Sequence, residues 1–238
     1  MSASSVAARP AATGTYNNPL FWERLWRSAG IQFLGTFIVG YFVYGTQPHV
    51  GSSPDALTAF YVGSRTRILI AAIFGGMSIL NLMWFAAAIR TTLADAGVGG
   101  WGSAATGSSA AVGGVFTMII SLSAALAYSI GDSGNQALTS ALNDSIWALF
   151  VLSSFPRAML VMSSAFGLWR AHMISDSLFG AGVGVVVLGV LGGTTWLSDG
   201  FWAPDGVYSR FVWPILSLVW LLVVSRVLAK APATRSGW

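Results

Sequence analysis

Arg157 is the residue of this sequence that most demands a chemical explanation. It closes the run Leu152-Ser153-Ser154-Phe155-Pro156-Arg157, about twelve residues from either end of an apolar stretch. At about 1.5 Å per helical residue it lies ~18 Å from each boundary, beyond the full reach of its side chain. An arginine at the centre of a bilayer costs roughly 2.5 to 3.5 kcal/mol on insertion scales, so it must turn inward and find partners. Pro156 cannot donate to the carbonyl four residues back, that of Leu152, and so frees it. Ser153 and Ser154 add two hydroxyls. Asn81, Thr117 and Ser121 are the other polar side chains expected at this depth, and no carboxylate joins them. Two readings fit these residues. In one, carbonyls, hydroxyls and Asn81 neutralise a structural arginine. In the other, Arg157, Asn81, Ser153, Ser154, Thr117 and Ser121 bind a ligand that supplies the missing charge, an anionic lipid or a small anion.

Other chemistry is sparse. His49 and His172 fall at opposite ends of the expected spans, so they cannot share a metal or a haem. No HExxH, GxSxG, GxxxxGK[ST] or GxGxxG pattern occurs. The chain has no cysteine, which removes disulfides and thiolate metal sites. No catalytic residue, metal site or cofactor is expected. The leading reading is a structural, lipid-interacting or accessory membrane protein. The alternative is a small-solute transporter or anion-binding protein centred on Arg157, and an enzyme comes third. The net charge of +4 is scattered at helix ends and forms no stripe for nucleic acid.

The elements that must position Arg157 follow from composition. Of 238 residues, 55% are hydrophobic and 8% charged, against about 25% charged in ordinary soluble domains. Apolar runs of this length face lipid, and lipid demands helices because each backbone polar group must be satisfied within its own segment. The expected fold is all-α, a polytopic bundle of six transmembrane helices near 28–45, 68–89, 106–130, 145–169, 178–197 and 211–228. Residues 20–229 form this membrane domain, between tails at 1–19 and 230–238. The first tail has no apolar core and is read as a disordered cytoplasmic segment rather than a signal peptide; a transit peptide is the alternative. Asn18-Pro19 opens a short interfacial turn in which Glu23 and Arg27 pair four residues apart.

Positive charge sets the orientation. Arg9, Arg24, Arg27, Arg90, Arg170, Arg226, Lys230 and Arg235 fall on one side, and Arg65, Arg67 and Arg210 on the other. The first side is therefore expected to be cytoplasmic, and an even number of spans returns the C-terminus to it.

The outer side carries two further features. Ser53-Pro54-Asp55 predicts a short helix over 54–62, and Pro204-Asp205-Gly206 predicts a turn. Tyr61, Trp147, Trp196, Trp202, Tyr208 and Trp213 gather there, as an interfacial belt or as a lid over a cavity. Asp55, Asp132, Asp144, Asp199 and Asp205 are solvated caps or an acidic mouth that attracts cations. In span 5, Gly180/Gly184 and Gly189/Gly193 make two GxxxG pairs on nearly opposite sides of the helix. They predict close packing against two neighbours, within this chain or with a second copy as a homo-oligomer.

The segment Ser198-Asp199-Gly200-Phe201-Trp202-Ala203-Pro204-Asp205-Gly206, continued by Val207-Tyr208, leads into a span ending Val223-Val224-Ser225. With Arg27-Ser28-Ala29-Gly30 and Phe155-Pro156 it resembles a broad class of small bacterial six-helix integral membrane proteins grouped as a domain of unknown function. The resemblance implies that fold, multi-pass, in a bacterial inner membrane, with membrane lipid as its surroundings. It brings no catalytic residues with it.

Overall fold

The computed structural model describes residues 25–230. Among them every regular element is helical and no strand occurs. The Asn18-Pro19 start, the Glu23–Arg27 pair and both tails apart from Lys230 lie outside the described residues. The helices are α1 (Ala29–Tyr44), α2 (Pro54–Tyr61), α3 (Arg65–Asp95), α4 (Gly99–Ala125), α5 (Gln136–Leu152), α6 (Ser154–Arg170), α7 (Asp176–Gly192) and α8 (Trp213–Lys230). A π-helical turn, Leu126–Ile130, extends α4, and another, Tyr208–Val212, leads into α8.

Four apolar stretches are long enough to cross a membrane: Arg65–Asp95, Gly99–Ile130, Gln136–Arg170 and Tyr208–Lys230. The helices over 65–95 and 99–130 overrun the spans expected at 68–89 and 106–130. Backbone hydrogen bonding carries a helix past the edge of its apolar run, which hydropathy alone does not register. α1 and α7 are apolar but have only 16 and 17 residues. The span expected at 178–197 ends early, at Gly192. Beyond it the hydroxyls of Thr194 and Thr195 donate to the carbonyls of Leu191 and Gly192 at 2.7 and 2.9 Å, which satisfies the helix end.

The helix expected over 54–62 is present as α2. Ser53 caps it, its hydroxyl accepting from the Ala56 amide at 3.4 Å, and Pro54 takes the first turn where no amide is needed. Tyr61, Leu57, Ile68, Leu126 and Ile146 form a small core beneath it. The larger core joins α1, α3, α4, α6 and α8 through Phe33, Phe85, Ile89, Leu160, Leu168, Trp213 and Leu228.

The glycine pairs of α7 divide. Gly189 lies against the Trp213 ring and Ala158, and Gly193 against the Phe155 ring, at distances that exclude a side chain. Gly180 and Gly184 have no atom within 4 Å of where a Cβ would stand. The packing expected of the Gly180/Gly184 pair is therefore absent within the chain. The seam instead runs through Gly182, which meets Trp220 and Ala165, to Gly189. Residues seven apart share a helix face, and that geometry selected Gly182 over Gly180 and Gly184.

Candidate functional site

The chain does not cross the bundle as one straight helix at Arg157. α5 ends at Leu152 and α6 begins at Ser154, with Ser153 as the joint. Pro156 explains the position of the break, since it withdraws an amide from the ladder and its ring crowds the preceding turn. In the last α5 turn the Phe150 carbonyl accepts from the Ser153 hydroxyl at 2.6 Å and takes a second donor as well.

Arg157 is that donor. Its Nε donates to the Ser153 carbonyl at 3.2 Å, and its Nη2 to the Phe150 carbonyl at 3.2 Å and the Ser154 hydroxyl at 3.1 Å. Phe150 and Ser154 precede Arg157 by seven and three residues, which places all three on one helical face. The guanidinium carbon also lies 4.9 Å from the centre of the Phe150 ring, 5.8 Å from Trp213 and 5.9 Å from Phe116. Faces of aromatic rings attract cations, most strongly where water is excluded. Nη1 has no hydrogen-bond partner among the described residues.

The other residues expected to surround Arg157 divide by face. Ser153 and Ser154 are fully buried and belong to the site. Asn81 is half-buried on α3 and neither bonds the guanidinium nor lines the space beside it. Thr117 and Ser121 lie on the exposed face of α4, where the Thr117 hydroxyl bonds back to Gly113 at 2.7 Å. Depth along a helix is legible from sequence; azimuth is set by what the helix packs against. The residues that take their places are Ser78 on α3 and Ser123 on α4. Ser123 accepts from the Tyr44 hydroxyl at 3.2 Å, and Ser78 donates to Thr36 at 3.0 Å.

Arg157 stands in the wall of a cavity of about 220 Å³. α1, α3, α4, α5, α6 and α8 all contribute to it, chiefly through aliphatic and aromatic side chains. No Asp or Glu lines it, but a second arginine does: Arg210. In the sequence Arg210 counts only toward the charge asymmetry. The signal for it was periodicity, because Arg210, Pro214, Ser217 and Leu221 recur at helical spacing and all face the cavity. Arg210 lies within the π-helical turn Tyr208–Val212. Pro214 cannot donate to the Arg210 carbonyl, which accounts for an irregular turn at this point. The Arg210 Nη2 donates to the Gln47 carbonyl at 2.9 Å, and its guanidinium carbon lies 5.0 Å from the Trp147 ring centre.

Residues 45–53 cross the α2 end of the cavity as a strap, held at successive positions. Besides Arg210 on Gln47, the Trp147 indole donates to the Pro48 carbonyl at 2.8 Å and the Asn143 amide to the His49 carbonyl at 3.2 Å. Asp205 accepts from the Val50 amide at 3.1 Å and meets His49 Nδ1 at 2.7 Å. Asp144 accepts from the Gly51 amide at 3.2 Å. Two of the five acidic residues on this side thus hold backbone. The Pro204-Asp205-Gly206 turn that presents Asp205 requires glycine at 206, where a Cβ would meet backbone oxygens of Gly200 and Phe201. Tyr41 and Thr46 are both exposed and part of the lining, and mark where the cavity reaches the surface.

Beneath the strap, the Tyr61 hydroxyl donates to Asn143 at 2.9 Å. Burial pushes its phenol far above the usual value, so it remains a donor. Among the described residues no group of three or more His, Asp or Glu is placed to hold a metal ion. No known protein family, curated protein or solved structure matches the chain.

Proposed function

We propose that this is a six-span protein of the bacterial cytoplasmic membrane, with both ends on the cytoplasmic side, that binds an amphipathic anion without transforming it. The ligand is an anionic lipid or a small organic acid. The observation that carries the reading is an apolar cavity with two guanidinium groups in its wall and no carboxylate among its lining residues. Hydrogen bonds from an ionised group to an anion are roughly twice as strong as neutral ones, and stronger again away from water. Arg157 supplies such a group, and its Nη1 is not used by the fold. The six spans take α1 and α7 as short members of the set. The excess of Lys and Arg at the end opposite α2 supports the orientation.

Native mass spectrometry of the purified protein tests this reading. An anionic adduct should co-purify with the unaltered protein and be lost in Arg157→Leu, while Arg157→Lys retains part of it. A lipid source and a soluble source are told apart by reloading the delipidated protein with membrane extract or with short-chain acids. An Arg157→Leu protein that keeps its full ligand complement and melts at a higher temperature would overturn the proposal.

A further inference from the structure

The two arginines of the cavity stand on one aromatic ladder. The Arg210 guanidinium lies 5.0 Å from the Trp147 ring, the Trp147 and Phe150 rings are 6.1 Å apart, and the Arg157 guanidinium lies 4.9 Å from Phe150. Trp147 and Phe150 are three residues apart on α5, and both rings line the cavity between the two cations. Among the described residues neither arginine forms an ion pair, and each has guanidinium donors without a partner. Two like charges facing one apolar space repel each other more than they would in water. A single monoanion can offset only one of them.

From this we infer that the cavity takes a two-ended anion with an apolar middle, of the α,ω-dicarboxylate class, one acid group on Arg157 and the other on Arg210. Each carboxylate accepts from guanidinium donors that the fold leaves unused. The methylene chain lies along Trp147 and Phe150, where Ile146 and Leu218 complete an apolar wall. Tyr41 and Thr46, at the exposed rim, mark the side from which such a molecule enters. This inference rests on the anion-binding reading above and narrows its ligand.

Calorimetric titration of the protein, stripped of native lipid and placed in nanodiscs of zwitterionic lipid only, with octanedioate and octanoate as probes, separates the two. The dianion should bind the unaltered protein about tenfold more tightly or better, as expected for one added charged contact. Arg210→Gln should bring octanedioate down to the affinity of octanoate. Equal affinity for the two probes in the unaltered protein, or a dianion preference that survives Arg210→Gln, would sink the two-ended class and leave a monoanion site at Arg157. If neither probe binds and Arg157→Leu changes nothing, the anion-binding reading falls with it.

Discussion

Arg157 donates to the carbonyl of Phe150, seven residues earlier, across the joint that separates α5 from α6. The cation therefore sits at the C-terminal end of the helix that precedes it, the end that the helix dipole makes negative. The Phe150 and Ser153 carbonyls also accept from the Ser153 hydroxyl and the Arg157 amide, and the guanidinium gives each a second donor. This arrangement answers much of the cost of placing an arginine at this depth without any acid nearby. It also fixes the direction of the side chain, so that Nη1 is left over at the cavity wall.

Removal of the Ser154 hydroxyl should weaken this arrangement measurably. Ser154→Ala deletes a hydrogen bond to a charged group, worth about 1.5 to 3 kcal/mol. The melting temperature in detergent should fall, and bound anion should decrease. Asn81→Leu, Thr117→Val and Ser121→Ala should leave bound anion unchanged, because none of these side chains contacts the guanidinium. Loss of the adduct in Thr117→Val or Ser121→Ala would contradict the placement of α4.

The glycines of α7 should respond in opposite ways. Gly189→Ala drives a methyl into Trp213 and Ala158, and overpacking of this kind costs about 1 to 3 kcal/mol. Gly184→Ala meets open space and gains helix propensity, up to about 1 kcal/mol. Thermal unfolding of the two variants in one detergent is sufficient. A destabilised Gly184→Ala would point to a second chain against that face.

Alkaline stability should depend on Tyr61. Its folded pKa is raised, so the stability linked to its neutral phenol is complete below the unfolded value of about 10 and is lost as pH rises above it. The melting temperature of the unaltered protein should fall between about pH 9 and pH 11, and that of Tyr61→Phe should fall less. At neutral pH the same variant loses the bond to Asn143 and should melt lower. Identical alkaline profiles would show that Tyr61 is not the group responsible.

Asp205→Ala should loosen the strap without unfolding the bundle. The His49 side chain is 66% exposed, so its contact with Asp205 contributes little to global stability. The Val50 amide loses its acceptor, however, and hydrogen exchange across 45–53 should accelerate while α3 and α4 stay protected. Unchanged exchange at Val50 would mean that the remaining anchors suffice.

Much of this was legible in the sequence, and the limits have a physical cause. Arg157 stood out because a charge inside an apolar run has few explanations, and Pro156 predicted the break beside it. Ser53-Pro54 announced α2 because capping chemistry is local. Ser121 and Ser123 show what was not legible. Two residues apart, they point about 200° away from each other on a helix, and only the packing of α4 against α3 and α6 decides which meets the cavity. Arg210 was overlooked for a related reason: a cation at the end of an apolar run already has an ordinary explanation as an interfacial anchor.

The short helices have a consequence for the membrane itself. At about 1.5 Å per residue, α1 and α7 rise about 24 to 26 Å, against a hydrocarbon core of ~30 Å. Both pack against α8. If both span, as the six-span proposal has it, lipids beside each compress their chains to meet it, at fractions of a kcal/mol for each ångström of mismatch. The rim at Tyr41 belongs to α1 and would open beside such lipids. Bilayer thickness then becomes a variable that acts on access to the cavity, and the protein would accumulate in thin membranes over thick ones.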